Sequence, residues 1–120
     1  MIKFQSLNQS KKFQNILKKK KINNKYFNIY FDTNLENSKK NKKVLNISFV
    51  MKKKLGNAVK RNKIKRKLKA AVQKVLREKE TVDLNRTYVI FGRNNVYKDK
   101  FHLVCSEIND VFKKINQMKI

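Results

Sequence analysis

Apolar residues follow two different rhythms along this chain. Residues 9–19, QSKKFQNILKK, place Phe13, Ile16 and Leu17 at i, i+3 and i+4 behind Ser10, a residue able to cap, and predict a short amphipathic helix. Residues 26–32, YFNIYFD, alternate instead: Phe27, Ile29 and Phe31 point one way and Asn28 and Tyr30 the other, as in a half-buried strand. The polar stretch over 33–43, TNLENSKKNKK, has no period and reads as a solvated loop. Alternation resumes over 44–52, VLNISFVMK, with Leu45, Ile47, Phe49 and Met51 inward and Asn46, Ser48, Val50 and Lys52 outward. Gly56 then breaks the strand, Asn57 can cap a first turn, and Ile64, Leu68, Ala71, Val72 and Val75 keep helical spacing to about Lys79. The segment over 86–93, RTYVIFGR, is apolar on both faces and predicts a central strand. From Tyr97 onward, Phe101, Val104, Cys105, Ile108, Val111, Phe112 and Ile115 recur as the stripe of a single C-terminal helix. The pattern leaves open a short edge strand over 20–24.

The expected order is therefore αββαβα, or αβββαβα with the extra strand. That is an α+β fold, an α/β sandwich in which a mixed sheet of three to four strands is packed by helices. With 120 residues, no internal repeat and no proline- or glycine-rich linker, one domain spanning 1–120 is expected.

Charge changes the picture most. Thirty-two Lys and Arg face eight acids, for a formal net charge of +24. Between Glu36 and Glu78 no acid occurs, although half of the basic residues lie there. Such a chain repels itself and seeks a polyanion. Lys outnumbers Arg 27 to 5 and Asn occurs sixteen times, a skew that resembles AT-rich codon usage. The five arginines kept against it (Arg61, Arg66, Arg77, Arg86 and Arg93) carry correspondingly more weight. No apolar run approaches the roughly 18–20 residues of a membrane span, and the first ten residues lack the apolar centre of a signal peptide. Cys105 is the single cysteine, so no internal disulfide is expected, and a cytoplasmic protein with no membrane partner is the expectation.

The segment most suited to holding a polyanion is 52–69, KKKLGNAVKRNKIKRKLK. On a helical wheel Asn62, Lys65, Arg66 and Lys69 share an arc beside the core stripe, and Lys60, Lys63 and Lys67 lie on the far side. A guanidinium bridges phosphate oxygens bidentately, an ammonium supplies point charge, and the Asn amide donates to phosphate or to a 2′-hydroxyl. The helix N-terminus at Asn57–Lys60 adds partial positive charge. Most basic runs are merely solvated helix faces. Seven Lys and Arg within 60–69, with no acid nearby, favour a binding face here.

The run Gly56-Asn57-Ala58-Val59-Lys60-Arg61-Asn62-Lys63-Ile64-Lys65-Arg66 resembles the signature of the protein subunit of bacterial ribonuclease P. The resemblance extends to SLNQSKKFQNILKKK, KYFNIYF, LNISFVMKKKLGNAV and TYVIFGR, and to the length and element order. It implies a protein that does not itself cut RNA. A large RNA subunit with bound Mg²⁺ would remove the 5′ leader of precursor tRNA, and the protein would bind both that RNA subunit and the leader. By matching position, Arg61, Asn62, Lys63, Lys65, Arg66 and Lys69 would face the catalytic RNA. Phe13, Leu17, Asn28, Tyr30, Ser48 and Lys52 would line a leader cleft, with no metal ligand in the chain. The resemblance further implies a left-handed strand–helix–strand crossover, against the usual hand. The chain departs from the family's pattern at Lys63 and Lys69, where Arg is usual, and at Leu17, where an aromatic is usual. Ser48 stands in place of a Gly and Lys52 in place of a Ser.

Read from the residues alone, other classes remain. Two-metal nuclease chemistry needs clustered carboxylates, and neither the eight acids nor the single His102 form such a set. A ribosomal or nucleoid-type polyanion binder fits the charge equally well, and charge does not separate RNA from DNA. A binder of anionic membrane surfaces would need the apolar stripes that the core also needs. Tyr30 is as well suited to packing as to stacking on a base, whereas Phe13 on an amphipathic helix is better suited to a core than to a platform.

Overall fold

The computed structural model describes residues 2–7, 10–33, 44–79 and 82–118; apart from Thr33, the loop expected over 33–43 lies outside them. In chain order the elements are β1 (Lys3–Gln5), α1 (Ser10–Ile16), β2 (Lys20–Asn23), β3 (Phe27–Thr33), β4 (Val44–Val50), α2 (Ala58–Glu78), β5 (Arg86–Gly92), α3 (Asn94–Lys98) and α4 (Phe101–Gln117), with a 3₁₀ turn at Lys53–Leu55 before α2.

The strands form one mixed sheet in the order β1-β4-β5-β3-β2. β5 occupies the middle, antiparallel to β3 from Phe27↔Gly92 to Thr33↔Arg86 and parallel to β4 from Asn46↔Thr87 to Val50↔Phe91. A central strand is covered on both faces, which is why RTYVIFGR lacks alternation. The sheet's inner face buries Phe27, Ile29, Phe31, Leu45, Ile47, Tyr88 and Ile90 against α2 and α4. The Tyr88 ring meets Phe112 edge-on at 5.1 Å, and its hydroxyl donates to the Asp83 carbonyl. α1 lies on the opposite face, against β3 and β5.

α2 illustrates which force dominates. Ile64, Leu68, Ala71, Val72 and Val75 are buried along one stripe. Each large apolar side chain contributes about 1.5–3 kcal/mol on burial. Like charges one turn apart cost only a few tenths of a kcal/mol each. The packed stripe therefore holds the basic helix in place despite its self-repulsion.

Three expectations are corrected. Among the described residues the sheet has five strands rather than three to four. The short strand at 20–24 forms as β2, and β1 adds parallel pairing from Lys3↔Val44 to Gln5↔Asn46. Three residues are too few to show alternation, and β1's partner lies some forty residues away in sequence, so local pattern carries no trace of it. The C-terminal helix is two helices, interrupted at Asp99 and Lys100, both of extended backbone. The break is held by tertiary contacts: Lys67 Nζ donates to the Asp99 carbonyl and the Tyr26 hydroxyl to its carboxylate. α1 begins at Ser10 itself, so Ser10 lies in the helix rather than before it.

Candidate nucleic-acid interface

The outer sheet face carries an aromatic cluster bordered by cations. On β3, Tyr30 points away from the core and is half-buried, and its neighbour on β5 is Val89, with Phe91 beyond. The Tyr30 and Phe91 rings meet edge-on with centroids 5.6 Å apart, and the ring of Phe13 of α1 lies 6.5 Å from that of Phe91. Lys21 of β2, paired with Tyr30 in the sheet, holds its ammonium 5.6 Å from the Tyr30 ring centre. Lys52, just past β4, places its ammonium 5.3 Å from the Phe91 ring. Arg93, just past β5, donates from Nη2 to Asn28 Oδ1 at 2.9 Å. Flat rings ringed by fixed cations can stack nucleobases while phosphates find counter-charge close by.

Of the residues expected there, Phe13, Asn28, Tyr30 and Lys52 come together. Leu17 is half-buried in the turn that ends α1, its N–H donating to the Phe13 carbonyl, and does not line the groove described below. Ser48 is on the expected face but buried, at 7% exposure, because its hydroxyl accepts the Leu7 N–H at 3.0 Å. Ser48 keeps the outward strand face, and the segment after β1 covers it there. Sequence reasoning missed Phe91, which joins Phe13 to Tyr30, together with Lys21 and the role of Arg93. Arg93's retention as arginine was the one signal available. Phe91's side depends on strand register, which is a tertiary property.

The basic helix starts as its sequence predicts. Gly56 takes φ 134° and ψ −160°, and Asn57 Oδ1 accepts the Lys60 N–H at 2.9 Å. Asn62, Lys63 and Arg66 are exposed, and Lys65 and Lys69 are half-buried. Arg61 is half-buried like Lys65 and Lys69. It lies beside the core stripe, and its Nε is buried without a partner among the described residues. Lys67 is occupied by the Asp99 carbonyl. Among the other retained arginines, Arg86 is buried over the Phe31 ring and bonded to Asp83, a structural role, and Arg77 is exposed.

The two candidate surfaces meet. A groove of about 230 Å³ at the β1–β4 edge is lined by Phe13 and Ser48 from the sheet side and by Lys65 and Lys69 from α2, with Phe4, Leu7 and Phe49 among its walls. No helix of the described residues is long and apolar enough to cross a membrane, and no group of three or more His, Cys, Asp or Glu among them could hold a metal ion. Burial raises the Cys105 thiol pKa, so this half-buried residue is a poor nucleophile.

These features define a small α+β protein whose basic helix and aromatic sheet face adjoin one groove. The family model Ribonuclease P matches residues 1–116, and the chain belongs to that family, whose members are the protein part of an endoribonuclease that works with an RNA partner in tRNA processing. Its fold is similar to that of the ribonuclease P protein from Thermotoga maritima, with a TM-score of 0.70 and 23% identity over 92% of this chain and 96% of that one. It is also similar to the ribonuclease P protein of Staphylococcus aureus, with a TM-score of 0.62 and 22% identity over 93% of this chain and 94% of that one. Comparison with curated proteins gave no match.

Proposed function

We propose that this chain is the RNA-binding protein subunit of a ribonuclease P ribonucleoprotein, binding the catalytic RNA through α2 and the 5′ leader of precursor tRNA on the outer sheet face. The supporting observation is the groove shared by Lys65 and Lys69 of the helix with Phe13 and Ser48 of the sheet side. An RNA lying on the helix and a leader lying on the rings would thus sit side by side on one rigid body.

The roles divide by chemistry. Arg66 and Asn62, exposed on α2, would bond phosphate and 2′-hydroxyl oxygens of the RNA subunit. Lys63, Lys65 and Lys69 would neutralise its backbone and release counterions. Tyr30, Phe91 and Phe13 would hold unpaired leader bases by stacking, a contact tolerant of base identity. Lys21, Lys52 and Arg93 would hold the leader's phosphates. Arg61, half-buried beside the core stripe, would join this face from its edge. The Mg²⁺ implied by the family would be held mainly by the RNA subunit.

Reconstitution tests the reading. The purified protein is mixed with a bacterial ribonuclease P RNA, and 5′ cleavage of precursor tRNA is followed at low Mg²⁺. Cleavage that needs both parts, with the protein alone inert, is the expected result. Tight RNA binding without any stimulation would replace this reading with that of a structural RNA-binding protein.

A further inference from the structure

The opposite flank of α2 carries a second pairing of aromatics with cations that the proposed function does not use. Lys60 holds its ammonium 5.1 Å from the ring centre of Tyr97. Tyr97 is 45% exposed and Phe101, four residues on, is 36% exposed. Neither ring belongs to the buried core. α3 is anchored by its neighbour Val96, which is fully buried, and α4 by Val104, Ile108, Val111, Phe112 and Ile115. Lys63 and Lys67 follow Lys60 along this flank, and Lys98 and Lys100 bracket the joint between α3 and α4. The acid at that joint, Asp99, turns its carboxylate to the Tyr26 hydroxyl and to Lys25 at 3.2 Å and its carbonyl to Lys67, so that among the described residues no carboxylate is paired with Lys60.

We infer that Tyr97 and Phe101, with Lys60, form a second binding site for single-stranded RNA, on the flank of α2 away from the groove. Exposed flat rings beside an unneutralised ammonium group match a ligand that joins planar apolar groups to a phosphate chain. A duplex keeps its bases stacked and offers Tyr97 nothing to stack on, so the ligand is an unpaired segment. Because α2 separates the two surfaces, an RNA seated on Asn62 and Arg66 could pass an unpaired nucleotide over Val59, which is 66% exposed, to reach Tyr97. The inference stands on this surface alone, whatever the outcome of reconstitution.

The chain contains no tryptophan, so Tyr97→Trp in the full-length protein creates a reporter at this one position. It is titrated with single-stranded oligouridylate, with an RNA duplex of equal length and with anionic phospholipid vesicles, while binding is followed separately by anisotropy of labelled RNA. The expected result is a fall in tryptophan emission and in acrylamide access that tracks oligouridylate binding and is absent with the duplex. In parallel, on a Tyr30→Ala background that removes stacking at the sheet face, Tyr97→Ala binds oligouridylate about 5- to 150-fold more weakly, the range for losing one base–aromatic stack, and Tyr97→Phe retains the background's affinity. Unchanged emission at RNA saturation overturns the inference. So does an equal response to duplex, which would mean simple charge contact, or a response to vesicles alone, which would mean a lipid surface.

Discussion

The Tyr26 hydroxyl donates a 2.7 Å hydrogen bond to the carboxylate of Asp99, joining residues 73 positions apart. The same Asp99 receives the Lys25 ammonium on its carboxylate and Lys67 Nζ on its carbonyl. One residue thus ties the turn before β3, the break between α3 and α4, and the middle of α2.

The bond sets a pH dependence. The Tyr26 hydroxyl, followed by Lys25, holds the Asp99 carboxyl below the usual carboxylate range. Its stabilising contribution is therefore present above the unfolded value of roughly 3.9 and is lost as pH falls through the lower folded value. Tyr26 moves the other way, pushed up to about 12 by its bond to Asp99 and by burial. Its contribution is complete below about pH 10 and is lost as pH rises through about 12. Tyr26→Phe is expected to lower Tm by roughly 3–8 °C between about pH 5 and 9, with the difference from wild type shrinking outside both limits. Calorimetry of both proteins across pH checks it, and a difference independent of pH would mean that the bond is not formed.

Gly56 and Asn57 set the entry into α2. A φ of 134° with ψ of −160° is essentially a glycine conformation, and an added Cβ would also lie 3.0 Å from Lys60 Cδ. Gly56→Ala should destabilise by about 1–3 kcal/mol, and Asn57→Ala, which removes the cap to the Lys60 N–H, by about 1 kcal/mol. Urea unfolding should show lower midpoints at unchanged slope.

Phe91 and Tyr30 are expected to act on the leader and not on the RNA subunit. Tyr30→Ala and Phe91→Ala should each weaken binding of precursor tRNA by roughly 5- to 150-fold while leaving leaderless tRNA unaffected. Titration of both substrates into reconstituted holoenzyme decides this. Equal losses for the two would place the rings outside any leader contact.

Arg66, exposed on α2, is expected to contact a phosphate of the RNA subunit. Arg66→Ala should weaken that binding and reduce the slope of log K against log salt by up to about one unit. Affinities measured across a salt series give the slope directly. An unchanged slope and affinity would remove this face from the interface.

The residues show where legibility ended. The inward set Phe27, Ile29, Phe31, Leu45 and Ile47, the Asn57 cap, the core stripe of α2 and the central position of β5 were all readable, because each depends on period or on a local hydrogen bond. Phe91, Lys21 and β1 were not, because strand partners and register arise between segments far apart in sequence. Ser48 was assigned to the right face but not to the interior, since its cover comes from Leu7, forty-one positions earlier. The α3–α4 break was hidden for a similar reason: the apolar spacing runs straight through it, while Tyr26 and Lys67 hold Asp99 from other elements.

By itself the sequence determined most of the secondary elements, the acid-free basic helix and the family signature, all of which are written in spacing and local chemistry. Only the tertiary structure decided which side chains share a surface. Burial of the apolar stripes fixes how α1 and α2 lie against the sheet, and that placement brings Phe13, Tyr30 and Phe91 into one cluster, opens a groove to Lys65 and Lys69, and turns Tyr97 outward on the other flank.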